Sequence, residues 1–85
     1  MKRRKLLARL VSGAVQNVAF SDLHSLVTGF GFELRGTSGS HHIYSHSAIP
    51  ELINLQDVNG QAKPYQIRQV LRLVERYNLA LEDEA

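Results

Sequence analysis

Cysteine is absent from all 85 residues of this chain. Without thiols there are no disulfides, no thiolate zinc sites and no cysteine nucleophile, which fits a reducing compartment such as the cytoplasm. A long apolar run is also missing. The opening "MKRRKLLARLVSGAVQNVAFS" begins like a secretory signal, but Arg9, Gln16 and Asn17 interrupt its apolar part. We expect an amphipathic helix here, and neither a cleaved signal nor a membrane-spanning segment.

The chain is too short for two domains, and it has no internal repeat and no linker-like stretch. Hydrophobic residues make up 44% of it, enough for a small core of marginal stability, which is compatible with a partner chain. Its charge is uneven. We expect an acidic, solvated tail over residues 80–85, and a basic start that is either a soluble tail or a contact for phosphate or a partner. These clusters are Lys2, Arg3, Arg4, Lys5 and Arg9 at the start and Glu82, Asp83 and Glu84 at the end.

Apolar spacing predicts two helices in the first third of the chain. The first belongs to a basic amphipathic extension over residues 1–18 and ends near Gln16, because apolar residues recur there every three or four positions. The second begins at Ser21 and Asp22, where a hydroxyl caps the helix and an acid faces its positive end. Glycines that follow would stop it.

Alternation of apolar and polar residues then predicts three strands, over residues 32–35, 41–45 and 51–58. Asn59 and Gly60 favour a turn. A last helix opens at Lys63-Pro64, where a first-turn proline is tolerated. The fold class expected from this order is α+β, with a three-stranded antiparallel sheet covered on one face by helices and a main domain over residues 19–79.

Three of the four histidines fall within the stretch "HHIYSH". On a strand, His42, Tyr44 and His46 would share one face, and His41 would share the other with Ile43. His42 and His46 are then too far apart to chelate one metal ion directly, and no carboxylate or thiolate lies nearby in sequence. A nucleophile elbow of the G-x-S-x-G type is absent as well. Neither a metal site nor a catalytic triad is therefore indicated.

A single histidine acting as acid or base needs less architecture, because an imidazole exchanges protons near neutral pH. RNA suits such a group: a 2′-hydroxyl attacks its adjacent phosphate once a base removes its proton. The alternative is that these histidines are merely exposed polar residues of a half-wet strand.

The last helix carries three arginines four residues apart, Arg68, Arg72 and Arg76, which form one basic row. Lys63 adds a charge at the helix N-terminus, where free backbone N–H groups favour an anion. A solvated helix face is the alternative reading of this row. Sheet histidines beside such a row describe a nucleic-acid surface better than a small-molecule pocket. Only Tyr44 and Tyr65 offer aromatic rings for stacking, so high sequence specificity is not suggested.

The strings "LVTGFGFEL" and "GSHHIYSH", followed by a strand and a Lys-Pro-opened helix, resemble the HicA toxins of bacterial and archaeal toxin-antitoxin pairs. The resemblance covers about Phe20 to Leu79. It implies a ribosome-independent mRNA interferase with a double-stranded-RNA-binding-domain-like fold, and a HicB antitoxin that covers the active site. It also implies that His41 is the catalytic histidine and that Gly39 and Ser40 shape the turn presenting it. His42 is the second choice, because some relatives place the reactive imidazole one residue later.

Two features depart from the family pattern. Typical short members lack the extension over residues 1–18, and many have a histidine after the third strand that this chain lacks. If a second imidazole assists in those relatives, this chain must use His42, His46 or a cation.

The leading hypothesis is a cytoplasmic, metal-independent endoribonuclease toxin that cleaves mRNA, is inhibited by a HicB-like antitoxin and needs no small-molecule cofactor. His41 would act as acid or base, while a set of RNA-binding residues holds the backbone. Two rival hypotheses remain: a non-catalytic RNA-binding module, and a protein-interaction domain whose basic N-terminal helix packs on another protein. The RNA-binding set is Gly39, Ser40, Lys63, Arg68 and Arg72.

Overall fold

The helices and strands follow the predicted order, with one strand more than expected. The computed structural model describes residues 2–82 of the chain. Its elements are α1 (Arg3–Val11), α2 (Phe20–Gly29), β1 (Glu33–Ser38), β2 (His41–His46), β3 (Ile49–Val58), β4 (Gln61–Ala62) and α3 (Pro64–Arg76).

The sheet is antiparallel and its strands lie in the order β1-β2-β3-β4. The prediction of three strands was wrong. Asn59 and Gly60 both take positive φ values, 52° and 82°, and such a two-residue turn reverses the chain tightly enough for β4 to pair with the end of β3. The turn was predicted, but the two-residue strand after it is too short to show an alternating pattern.

Helices cover one face of the sheet, and the other face is open. The covered face, called the inner face, carries Tyr44, Ile53 and Leu55, which are all buried with the apolar sides of α2 and α3. The open face, called the outer face, carries His41 and Asn54, which are exposed. The prediction of an α+β domain with helices on one side of the sheet is confirmed. Among residues 2–82, no helix is long and apolar enough to cross a membrane.

The N-terminal extension is part of the core. Leu6 and Leu10 of α1 are 1% and 2% exposed, and α1 packs on α2. The helix ends at Val11, earlier than expected, because Gly13 takes a φ of 104° that a helix cannot continue. Arg3 donates from Nε to the carbonyl oxygen of Ser25 at 2.7 Å. The C-terminal end of a helix carries a partial negative charge that stabilises a nearby cation, so Arg3 of the basic cluster contributes to the stability of the fold.

Several element boundaries differ from the predicted ones. Helix α2 begins at Phe20 with Ala19 as its N-cap, so the capping role expected of Ser21 was wrong. The backbone N–H of Phe20 instead donates to the carbonyl oxygen of Gly60 at 2.8 Å. Strand β1 extends to Ser38, which shortens the turn before β2. Near the C-terminus Leu81 packs on the core, while residues 83–85 of the expected acidic tail lie outside the described part of the chain.

Candidate active site

The hairpin between β1 and β2 presents two adjacent histidines on opposite faces of the sheet. Gly39 takes a φ of 60° in the turn, where a Cβ would meet nothing within 4 Å, so glycine serves the backbone conformation there. His41 follows two residues later and pairs with Ser38. His41 is exposed on the outer face, whereas His42 is half-buried on the inner face. The predicted alternation is confirmed, and the two imidazoles do not share one surface.

His41 is oriented by an amide on the neighbouring strand. Its Nδ1 lies 3.1 Å from Oδ1 of Asn54. Because this oxygen only accepts hydrogen bonds, the neutral imidazole carries its proton on Nδ1 and leaves a lone pair on Nε2. Because the His41 side chain is exposed, this lone pair is accessible to a substrate. Asn54 was not among the predicted site residues, because an isolated asparagine on a strand gives no sequence signal of what it touches.

Two of the predicted cations remain available on α3. Arg76 is bound to Glu51, with 3.2 Å between Nη1 and Oε2, whereas Arg68 and Arg72 have no ion pair within residues 2–82. Arg72 lines a groove between α3 and β3 that also reaches Asn54, the partner of His41. We call it the α3–β3 groove; its other lining residues include Leu52, Gln69 and Arg76.

Lys63 lies immediately before α3, as predicted, and its Nζ is 5.9 Å from the ring centre of Tyr65. Tyr65 is 56% exposed, so its ring is open to solvent. Tyr44 is 0% exposed, and the expectation that it stacks on a base was therefore wrong. Ser40 is held to the neighbouring strand, because its Oγ accepts a 3.4 Å hydrogen bond from Nε2 of Gln56 on β3.

His42 lines a different surface, called the α2–β1 groove. Its ring centre lies 4.7 Å from that of Phe20, and its Nδ1 is 3.2 Å from the carbonyl oxygen of Ser40. A carbonyl only accepts, so this imidazole also carries its proton on Nδ1 and leaves Nε2 free. The groove has a volume of about 420 Å³ and is lined by Phe20, Ser21, His24, Leu34, Thr37, His42, Asp57 and Gly60.

His24 is a titratable residue of this groove that the sequence prediction missed. Its Nδ1 lies 2.7 Å from the hydroxyl oxygen of Tyr44. Burial raises the pKa of the Tyr44 hydroxyl, which therefore stays protonated at neutral pH. His24 stands four residues after Phe20, so helical spacing does place the two on one side of α2.

His46 is engaged in structure at both ring nitrogens. Its Nε2–H donates to the carbonyl oxygen of Phe30 at 3.0 Å, and its Nδ1 accepts the N–H of Ala48 at 3.0 Å. A Cβ at Gly31 would lie 2.9 Å from Nε2, so glycine is needed beside this ring. His46 thus has no free nitrogen for catalysis. Within residues 2–82, no group of three or more potential ligand side chains could hold a metal ion.

A family model matches residues 20–75 of the chain, and its description is the HicA toxin of bacterial toxin-antitoxin systems. This match spans α2, all four strands and almost all of α3, and it leaves α1 outside. No curated protein and no solved structure matched the chain in the corresponding comparisons. Because the match covers well over half of the sequence, the chain belongs to the HicA toxin family.

Proposed function

We propose that this toxin is an endoribonuclease that cleaves mRNA with His41 as its reactive imidazole. The observation that carries the proposal is the exposed His41, whose Nδ1 contacts Asn54 at 3.1 Å. Nε2 of His41 removes the proton from a ribose 2′-hydroxyl, and the resulting oxygen attacks the adjacent phosphorus. The bond to the 5′-oxygen breaks, and that oxygen takes up a proton from the imidazolium or from water. The products are a 2′,3′-cyclic phosphate and a 5′-hydroxyl end.

Cations of α3 hold the phosphate while negative charge develops on its oxygens. Arg72 is the best supported of them, because it shares the α3–β3 groove with Asn54. Lys63 and Arg68 extend the positive surface towards the start of α3. Gly39 and Ser40 form the turn that exposes His41 to the RNA backbone. This arrangement relies on placement and imidazole chemistry, so the proposed reaction needs no metal.

The proposal also includes the type of fold and the protein partner. We propose a double-stranded-RNA-binding-domain-like fold, which is supported by the order helix, strands, helix and by the covering of one face of the sheet. The open outer face around His41 is the surface that a HicB-like antitoxin would cover. The interaction-domain alternative has less support, because Leu6 and Leu10 of α1 are already buried in the chain's own core.

The test is cleavage of an unstructured RNA by the purified chain, free of antitoxin and in the presence of EDTA. We expect fragments that end in 2′,3′-cyclic phosphate and begin with a 5′-hydroxyl. RNA that is bound but stays intact would favour the non-catalytic RNA-binding module instead. RNA that is neither bound nor cleaved would contradict both.

A further inference from the structure

We propose that the α2–β1 groove is a pocket for a nucleobase of the RNA, separate from the His41 site on the outer face. This inference rests on the proposed ribonuclease function for the identity of the ligand. The groove lies on the other side of β2 from His41, and its described lining includes no residue of α3, so it is separate from both the reactive imidazole and the cations of α3.

The lining of the groove fits an uncharged planar ring better than a phosphate. Phe20 and Leu34 give it an apolar floor, and Leu34 is 43% exposed although its side chain is large and hydrophobic. The described residues of the lining include neither Lys nor Arg, and they do include the carboxylate of Asp57. Negative charge without a cation repels phosphate. The volume of about 420 Å³ lies within the usual range of small-molecule sites.

Two imidazoles offer this ring one acceptor and one donor. His42 donates Nδ1–H to the carbonyl of Ser40, which leaves its Nε2 as an acceptor. Tyr44 is fully buried, and His24 is the one partner of its hydroxyl among residues 2–82. The O–H therefore donates to Nδ1 of His24, because leaving it unpaired would be costly. Neutral His24 then carries its proton on Nε2. Nucleobase edges combine donors and acceptors in the same way.

The groove is also connected to the His41 site through the hairpin. His41 and His42 are consecutive, and Thr37 of the edge strand β1 pairs with His42. A single strand that places its scissile phosphate at His41 reaches the groove by passing around the exposed turn at Gly39. The pocket would therefore hold a base of the same RNA strand and contribute to the choice of cleavage site.

The first experiment follows the imidazole NMR signals of all four histidines during titration with adenosine, cytidine and inorganic phosphate. We expect the imidazole signals of His24 and His42 to shift saturably with at least one nucleoside and not to shift with phosphate. The signal of His46 should stay in place throughout. Nucleoside shifts confined to His41, or no shift at millimolar concentration, would overturn the inference.

A second experiment fills the groove without altering the core. Thr37→Trp adds an indole at an exposed position of β1, and Val11→Trp adds the same ring on α1, where Val11 is 69% exposed. We expect Thr37→Trp to abolish the nucleoside shifts and to reduce cleavage at preferred RNA sites by about tenfold, the effect of losing one base contact. Val11→Trp should change neither.

The two experiments separate the inference from the function on which it rests. If the wild type cleaves RNA and Thr37→Trp retains the same sites and rates, the pocket is refuted and the ribonuclease stands. If the wild type leaves RNA intact, the function is refuted, and the nucleoside titration still shows whether the groove binds a base.

Discussion

The two faces of β2 carry the same side chain in different surroundings. His41 and His42 each donate Nδ1–H to an oxygen and keep a free Nε2. His41 is exposed and shares its orienting residue Asn54 with the groove that Arg72 lines. His42 is half-buried on Phe20, and no described cation lines its groove. Orientation alone therefore does not distinguish the two imidazoles; their exposure and the presence of an arginine in the adjoining groove do.

The largest effect on RNA cleavage should come from replacing His41 and His42 one at a time. We expect His41→Gln to reduce the single-turnover rate of RNA cleavage by roughly 10²–10⁴-fold, the usual contribution of a general acid or base. His42→Gln should have a smaller effect that varies between RNA sites. Thermal unfolding of both variants controls for folding. A large uniform loss in His42→Gln, with activity retained in His41→Gln, would move the reactive imidazole to the inner face.

The second prediction tests whether Asn54 is the positioning residue that distinguishes the outer face. Asn54→Ala removes the acceptor of the His41 Nδ1–H and frees the ring to rotate or change tautomer. One lost hydrogen bond of about 1 kcal/mol corresponds to a loss of roughly five- to tenfold. We expect this loss in kcat and little change in KM, measured by steady-state cleavage of a short RNA.

Two further variants make the Asn54 test specific. Asn54→Asp keeps an oxygen acceptor and should retain activity, with a pH–rate profile whose acidic limb moves to higher pH because a carboxylate stabilises the imidazolium. Val58→Ala changes a side chain on the same strand that is 36% exposed and lines neither groove, and it should leave kcat unchanged. An Asn54→Ala enzyme with normal kcat and raised KM would show that Asn54 binds RNA and does not orient His41.

Sequence patterns predicted the elements of this fold better than the contacts between them. Alternation in "HHIYSH" predicted the opposite faces of His41 and His42, because side-chain direction on a strand depends only on position. The hydrogen bond between His41 and Asn54 joins residues 13 apart, and it depends on a strand register that no local pattern specifies. The missed strand β4 has only two residues, and it forms because its neighbours pair with it.

The same limit explains what the sequence did not reveal about His24 and the N-terminus. His24 gains a role only because Tyr44 on β2 reaches it with a hydroxyl, a contact between distant parts of the chain. Arg3 was grouped with exposed cations, yet its guanidinium reaches Ser25 at the end of α2. In both cases tertiary packing decides what a polar side chain does.

A third prediction compares two arginines of the same helix. Arg72 has no ion pair within residues 2–82 and is available for phosphate, whereas Arg76 is occupied by Glu51. Arg72→Ala should weaken RNA binding several-fold and lower the slope of log affinity against log salt by about 0.7, the value for one contact to a single strand. Arg76→Ala should change the slope less. Equal slopes in both variants would mean that the row acts only as a solvated face.

The smallest effect concerns the clamp that holds the end of α3 against β3. The Tyr77 hydroxyl donates to Oε1 of Glu51 at 2.7 Å. This bond, assisted by Arg76, holds the pKa of Glu51 below its ordinary value of 4.5. A lowered carboxyl pKa stabilises the folded state above about pH 4.5, and that contribution disappears as the pH falls through the lowered value. The same bond raises the pKa of Tyr77 above 10.0, so it persists through neutral pH.

Tyr77→Phe should therefore lower the free energy of unfolding slightly at neutral pH, and the difference from wild type should shrink in acid. Urea unfolding at neutral pH and well below pH 4.5 measures this. Tyr65→Phe is the control, because its hydroxyl is bonded to the amide of Gln66 and not to a carboxylate, so its effect should not change with pH. RNA cleavage should be nearly unaffected, since the clamp contacts neither histidine. A difference that grows in acid would show that Tyr77 acts through packing. A large loss of cleavage would mean that the position of α3, and with it Arg72, governs the outer face more strongly than the orientation of His41 does.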